Sequence, residues 1–169
     1  VAGHIAVKKK AMACVKAFGE GDFDATLEKF PGKKAFINET IEQMRSNLKA
    51  LIQDASMLSR AAVEGKLSTR ADASRHRGDF AKIVRGVNDT LDAVIGPLNV
   101  AAKYVDRISK GDLPPKISDA YNGDFNTIKQ NLNTCVEAVG RLVEDAVALA
   151  KAGVEGRLET RADASRHQG

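Results

Sequence analysis

Glu64-Gly65-Lys66-Leu67-Ser68-Thr69-Arg70-Ala71-Asp72-Ala73-Ser74-Arg75-His76 returns almost verbatim as Glu155-Gly156-Arg157-Leu158-Glu159-Thr160-Arg161-Ala162-Asp163-Ala164-Ser165-Arg166-His167, 91 residues later. An internal repeat of this kind sets the unit of the fold before any single residue is read. Looser versions of its opening stand between the copies, at Lys110-Gly111-Asp112-Leu113, and ahead of them, at Glu20-Gly21-Asp22-Phe23. The glycines at 21, 65, 111 and 156 are spaced by 44, 46 and 45 residues, and Gly78-Asp79-Phe80 recurs 45 residues on as Gly123-Asp124-Phe125. The chain therefore reads as three modules (1–52, 53–95 and 96–140) and the first helix and connector of a fourth (141–169). Two types alternate: modules one and three open Gly-Asp-(Phe/Leu), and modules two and four open Glu-Gly-(Lys/Arg)-Leu.

Working outward from the connectors, the flanking runs carry helical periodicity. Apolar residues fall at 7, 11, 14 and 18, and the run ends at Gly19 and Gly21. Pro31-Gly32 breaks the next connector, and a new run starts at Phe36. Met44, Leu48, Leu51, Ala55, Leu58 and Ala62 continue it across the boundary between modules one and two. Ile83, Val87, Leu91, Val94, Leu98, Ala101, Val105 and Ile108 do the same for modules two and three. Ile128, Leu132, Val136, Val139, Val143 and Ala146 follow in the third long run. Spacings averaging near 3.5 mark a coiled-coil seam, and each long helix is expected to close one module and open the next. Pro97 lies inside the second long run, where it removes a backbone bond and asks the helix to bend or restart. It is taken as the joint between modules two and three. Asp79 and Asp124 are expected to be N-caps whose charge suits a helix N-terminus.

The connectors share a pattern. A glycine (21, 65, 111 or 156) is followed two residues later by one apolar residue and four after that by another: Phe23 and Leu27, Leu67 and Ala71, Leu113 and Ile117, Leu158 and Ala162. The glycine permits the positive φ that ends a helix, and the apolar pair is expected to pin the strand-like link to its helices. A tight antiparallel turn needs only about 2–8 residues. The link from Gly111 to Gly123 is long enough to run the length of a ~16-residue helix, roughly 24 Å, and start the next one parallel to it. Two such helices bury too little alone. A twofold partner would complete a parallel four-helix bundle.

Composition agrees with this class. Apolar residues make up 43% of the 169, so wholesale disorder is excluded, while only 5% are aromatic and none is Trp. Aliphatic side chains must fill the core, which suits helix-on-helix packing. A net charge of +4 describes a solvated surface and gives no strong nucleic-acid signal. Two cysteines make no disulfide framework, and no apolar run is long enough for a membrane helix. The chain begins at Val1 without Met and stops inside a repeat copy, so it reads as a fragment of a longer protein whose anchor or output domain lies elsewhere.

His76 and His167 invite a catalytic or metal reading, but neither has a second His or Cys at ligand spacing. They are read as solvated loop residues. Cys14 and Cys135 are read as small packed hydrophobes, and Lys8-Lys9-Lys10 as a solvated helix face that meets lipid only if a membrane helix lies upstream. Phosphate loops and paired catalytic carboxylates are absent from the sequence pattern. No enzyme activity, cofactor, metal or small-molecule ligand is expected.

The order helix, Gly-x-apolar connector, acidic residue, helix resembles the HAMP domain of bacterial sensor kinases and chemoreceptors. Pro97 matches that family's usual proline near the start of a first helix. Ile108-Ser109-Lys110-Gly111-Asp112-Leu113-Pro114-Pro115-Lys116-Ile117 is similar to its first-helix exit and connector, and Asp79 and Asp124 stand where the family has an acidic residue at the second helix. The whole array resembles the tandem segments of methyl-accepting chemotaxis proteins and hybrid histidine kinases. Module one departs from the pattern, with no proline near its start and no Gly-Asp before Phe36. The resemblance implies an all-α fold of stacked parallel four-helix bundles in a homodimer. It also implies a cytoplasmic role, within or below an inner-membrane receptor, relaying signals between sensor and output domains of the same parent chain. A passive coiled-coil spacer and a monomeric antiparallel helical scaffold are the alternatives.

Overall fold

The computed structural model describes residues 2–167, with side chains from residue 4 onward; the outer ends of modules one and four, residue 1 and residues 168–169, lie outside the described residues. Four α-helices carry the chain: α1 Ala2–Gly19, α2 Ala35–Val63, α3 Gly78–Ser109 and α4 Gly123–Val154. Short 3-10 turns stand at Gly32–Lys34, Ala73–Arg75 and Ala164–Arg166, and the described residues contain no strand. The all-α class read from the periodicity holds. So does the continuity of the helices that begin at 35, 78 and 123 across the proposed module boundaries. The chain divides into two compact units, Val1–Asp92 and Ala93–Gly169.

In the first unit, the direction of each helix follows from its connector. Phe23 stacks on Phe18 with ring centroids 5.6 Å apart, the Cys14 thiol lies 3.8 Å from the Ala25 carbonyl, and Lys10 pairs with Glu28 at 2.6 Å. As the connector advances it therefore descends α1. It descends α2 as well: Lys49 pairs with Asp24, Arg45 donates to the carbonyls of Phe23 and Ala25, and Asn38 donates to the Glu28 carbonyl. Helices that both run opposite to one connector run parallel to each other. Cys14, Phe18 and Ile41 form the buried centre between them, with Ala11, Val15, Phe23, Leu27, Ile37, Met44 and Leu48 packed around it. The Arg45 guanidinium covers the Phe18 ring at 5.0 Å.

Module two repeats the arrangement. Lys66 and His76, at the two ends of the next connector, meet Ala61 and Asp54 of α2, while Arg70 and Ala71 meet Asp92 and Asn88 of α3. Again both helices oppose the connector, so α2 and α3 run parallel there. In the second unit, Asp112 and Pro115 meet Arg107 and Tyr104 of α3, and Ile117 and Asp119 meet Asn133 and Lys129 of α4. The helices of module three are parallel for the same reason. An antiparallel helical scaffold is incompatible with this order of contacts.

One local expectation is corrected. Asp79 and Asp124 sit inside the first turns of α3 and α4, and the N-cap of α4 is Asn122, which makes no side-chain cap bond. The chain reaches both helices through a glycine at positive φ, Gly78 and Gly123, which moves the helix start one residue ahead of the aspartate. The favourable charge at the N-terminal end remains. Pro97 lies within α3 without interrupting it: the helix continues from Gly78 to Ser109.

Much of the anticipated bundle core is left partly or wholly open by the chain's own packing, whereas Met44 and Leu48 pack against the Cys14, Phe18 and Ile41 centre. Ile83 is 51% and Val105 57% exposed, Val87, Val94, Leu98 and Ile128 are exposed, and Leu51, Leu58, Leu91, Ile108, Leu132 and Val139 are half-buried. Of that set only Val136 is buried. The chain's own interior is made by residues on the flank of the stripe, among them Ile41, Ala61, Ala81, Val84 and Ile95.

Candidate functional site in the connectors

Each first helix ends in the same way. At Gly65 the amide donates to the Ala62 carbonyl at 3.1 Å, and the Lys66 amide reaches back to Ala61 at 2.8 Å. Gly111 and Asp112 repeat this with Ile108 and Arg107, both at 3.0 Å. These paired bonds satisfy carbonyls that the helix end leaves free, and they need the φ of +72° and +77° that these glycines adopt. Gly21 and Gly156 make the same pair of bonds.

Past the exit, the predicted apolar anchors behave unequally. Ala71 and Ile117 are buried, and Phe23, Leu27 and Leu113 are half-buried. Leu67 is 43% exposed and Leu158 76% exposed, so they do not pin their connectors within the chain. Among the described residues no second helix follows Leu158 and Ala162. In module three, Pro97, Ile117, Tyr121, Phe125, Ile128 and Leu132 line one small cavity, which brings the helix-interior proline and the second anchor together with Ile128 and Leu132 of the expected seam.

The grip on the connector comes from residues the pattern reading passed over. Asn88 donates from Nδ2 to the Ala71 carbonyl at 2.8 Å and accepts from the Ala71 amide at 3.1 Å. Asn133 does the same to Ile117, at 3.1 and 2.7 Å. Each carboxamide thus imitates the edge of a strand and satisfies both backbone groups of the buried anchor, which would otherwise be costly to bury. Asn88 and Asn133 are 45 residues apart, so the module spacing itself was the signal. Module one departs here as well: Asn38 holds Glu28 and Phe30, and Arg45 replaces the carboxamide with two guanidinium bonds to carbonyls.

Charged groups close the remaining edges. Arg70 donates from Nε and Nη2 to Asp92 at 2.9 and 2.6 Å. Arg107 forks onto Asp112 at 2.6 and 3.2 Å, and this hydrogen bond holds the Asp112 carboxyl below its ordinary range and the guanidinium above its own. Lys116 pairs with Glu137, which lowers the Glu137 pKa in the same way. Asp72 accepts from the Ser74 hydroxyl and amide at 2.6 and 2.9 Å, so its carboxyl is also depressed; Asp163 repeats this with Ser165.

His76 and His167 are not the solvated loop residues expected. His76 is 8% exposed, and its Nε2 lies 2.6 Å from Oδ2 of Asp54, itself 5% exposed. His167 is half-buried and meets Asp145 at 2.7 Å. The expectation of packed cysteines holds for Cys14, which is buried, and fails for Cys135, which is exposed. Cys135 stands next to Val136, and the neighbouring position on the helix turns it off the packed flank.

These contacts hold the connectors against the helices, and no group of three or more His, Cys, Asp or Glu among the described residues is arranged for a metal. Residues 75–141 match the HAMP domain family model, and residues 7–49 match the HAMP N-terminal domain 3 model. The chain carries tandem HAMP domains. HAMP domains are linker modules, which agrees with connectors built to hold helices in register. The array is also 38% identical over 73 residues to the methyl-accepting chemotaxis protein McpB of Pseudomonas aeruginosa. That match covers 43% of this chain and 11% of the relative, so the HAMP array corresponds to a small part of that protein's length. No helix among the described residues is long and apolar enough to cross a membrane.

Proposed function

We propose that this HAMP array is a signal-relay segment, working as a parallel homodimer between a sensor upstream and a chemotaxis-signalling or histidine-kinase output domain downstream, in the cytoplasmic part of its parent protein. The observation that carries the reading is the uncovered apolar groove of module two. It measures 450 Å³ and lies between α2 and α3, lined by Leu51, Ala55, Leu58, Ile83, Val87 and Leu91. Parallel helices with such a groove have half of a four-helix core, and a twofold copy of the same surface supplies the other half.

Relay follows from continuity. A helix that closes one bundle and opens the next cannot twist or splay in one without altering the other. The seam is aliphatic and includes small residues (Ala55, Ala62, Ala101 and Ala146). Such a seam supports two packings close in energy, the bistable element that a relay needs. The alternating module types are assigned opposite preferences between these states. In this reading the proposed boundaries 1–52, 53–95, 96–140 and 141–169 are the switching units. The exit glycines, connector anchors, Asp79, Asp124 and Pro97 are the parts that hold each unit.

The test places the segment in a chemotaxis receptor in place of its own HAMP region and freezes module two in different helix registers with disulfides across the seam. Different registers should give different output levels. Equal output from all registers, or unchanged output after deletion of modules two and three together, contradicts relay and leaves a passive spacer.

A further inference from the structure

Asp54 lines the edge of the module-two groove and is buried against His76, and the counterpart pair His167–Asp145 stands 91 residues on. A carboxylate taken out of water is costly unless partners replace the solvent. Asp54 has two: the ring at 2.6 Å and the Arg75 guanidinium at 3.5 Å. A carboxylate accepts, so the short bond places a ring proton on Nε2. The rest of the connector aims these partners at α2. Asp72 caps the 3-10 turn Ala73–Arg75 through the Ser74 amide, and the turn delivers Arg75 and His76 to Asp54. Asp163 and Ser165 deliver Arg166 and His167 to Asp145 in the same way, with Arg166 at 2.7 Å. Only Arg77 separates His76 from Gly78, where α3 begins.

Modules of the other type lack this chemistry. The position 45 residues after His76 is Tyr121, in the small cavity with Pro97 and Phe125, and the position 45 residues before it is Pro31. Module three therefore ends its connector on apolar packing, which gives gradually. Module two ends its connector on a directional ionic hydrogen bond, which is either made or broken.

We propose that His76 and Asp54, and likewise His167 and Asp145, form a latch specific to the second module type, tying the far end of the connector to the module's first helix. In module two this links the movement of α2 to the start of α3. Rotation of α2 by one residue position, 100° of helix, carries Asp54 out of reach and frees that start. The consequence for signalling rests on the relay reading above; the latch itself does not. His76 and Asp54 are positioning residues.

The test uses the whole 169-residue chain. Nitrogen-detected NMR of the native protein should show His76 protonated on Nε2, with a slowly exchanging ring proton. Amide exchange should report the latch at Ser74, Arg75 and His76, and at Lys82 and Ile83, the first residues of α3 whose amides have carbonyl partners in the helix. His76→Leu removes the donor and should speed exchange at those sites about tenfold or more, the loss expected for a charge-assisted hydrogen bond. The Ala71 amide, held by Asn88, should stay unchanged. His76→Gln keeps a donor nitrogen near the same reach and should restore most of the protection. Unchanged exchange in His76→Leu, or equal exchange in the Leu and Gln variants, overturns the latch. If His76→Leu does not fold, the native spectrum decides: a ring unprotonated at Nε2 overturns it. These readouts involve no signalling output, so failure of the latch and failure of relay are separate results.

Discussion

Gly111 leaves α3 at φ +77° with open space where a Cβ would sit, so its requirement is purely one of backbone conformation. Replacing it with alanine should cost about 1–2 kcal/mol, the penalty of a left-handed L-residue. Denaturant melts should register this loss, and Gly140→Ala, within α4, should show none of it. The carboxamide clamp gives a second expectation at this scale. Asn133→Ala leaves both backbone groups of buried Ile117 without their partner and should destabilise module three by about 2 kcal/mol, with exchange of the Ile117 amide rising most. Asp72 supplies a pH dependence. Its folded pKa lies below its ordinary 3.8, so its contribution is fully present above that value and is lost as pH falls through the lower, folded-state value. Protection of the Ser74 amide should persist from neutral pH to about 4 and vanish in stronger acid, and Asp72→Ala should abolish it at every pH.

Among the elements, the helices were readable because their apolar spacing persists along each run, and no Gly-Pro pair like Gly96-Pro97 stands in α2 or α4. Helix exits were readable too, since only glycine meets the φ they need. What escaped was polar and long-range. Asn88 and Asn133 look like ordinary helix-surface residues until the 45-residue register is applied to them. Asp54 and Asp145 obey the 91-residue offset, yet nothing in the local pattern says that a histidine 22 residues away will cover them. The helices start one residue before Asp79 and Asp124, at glycines of positive φ, so the N-cap of α4 falls two residues before Asp124, at Asn122. Pro97 tests the element's integrity. It removes one bond to the Ala93 carbonyl without ending α3, so Pro97→Ala should raise stability by up to about 3 kcal/mol while leaving helix content by circular dichroism unchanged. A fall in stability would mean that the ring's place in the cavity with Ile117 and Tyr121 outweighs the missing bond.

For the whole molecule the decisive feature is that much of the long apolar stripe, Ile83, Val87, Val94, Leu98 and Val105 above all, is left exposed by the chain's own packing. Parallel helices within each module follow from the connector contacts, whereas the second copy is an inference from the surface they leave open. Val87 makes the most direct test. In a parallel twofold dimer it lies across the axis from its own copy, whereas in an antiparallel pair it faces a different level of the helix. Sedimentation of the chain should give the mass of two 18.1 kDa copies. Val87→Cys, with Cys14 and Cys135 replaced by alanine, should then oxidise rapidly to a disulfide-linked dimer. A monomer at micromolar concentration, or a dimer in which Val87→Cys does not cross-link to itself, would contradict the account.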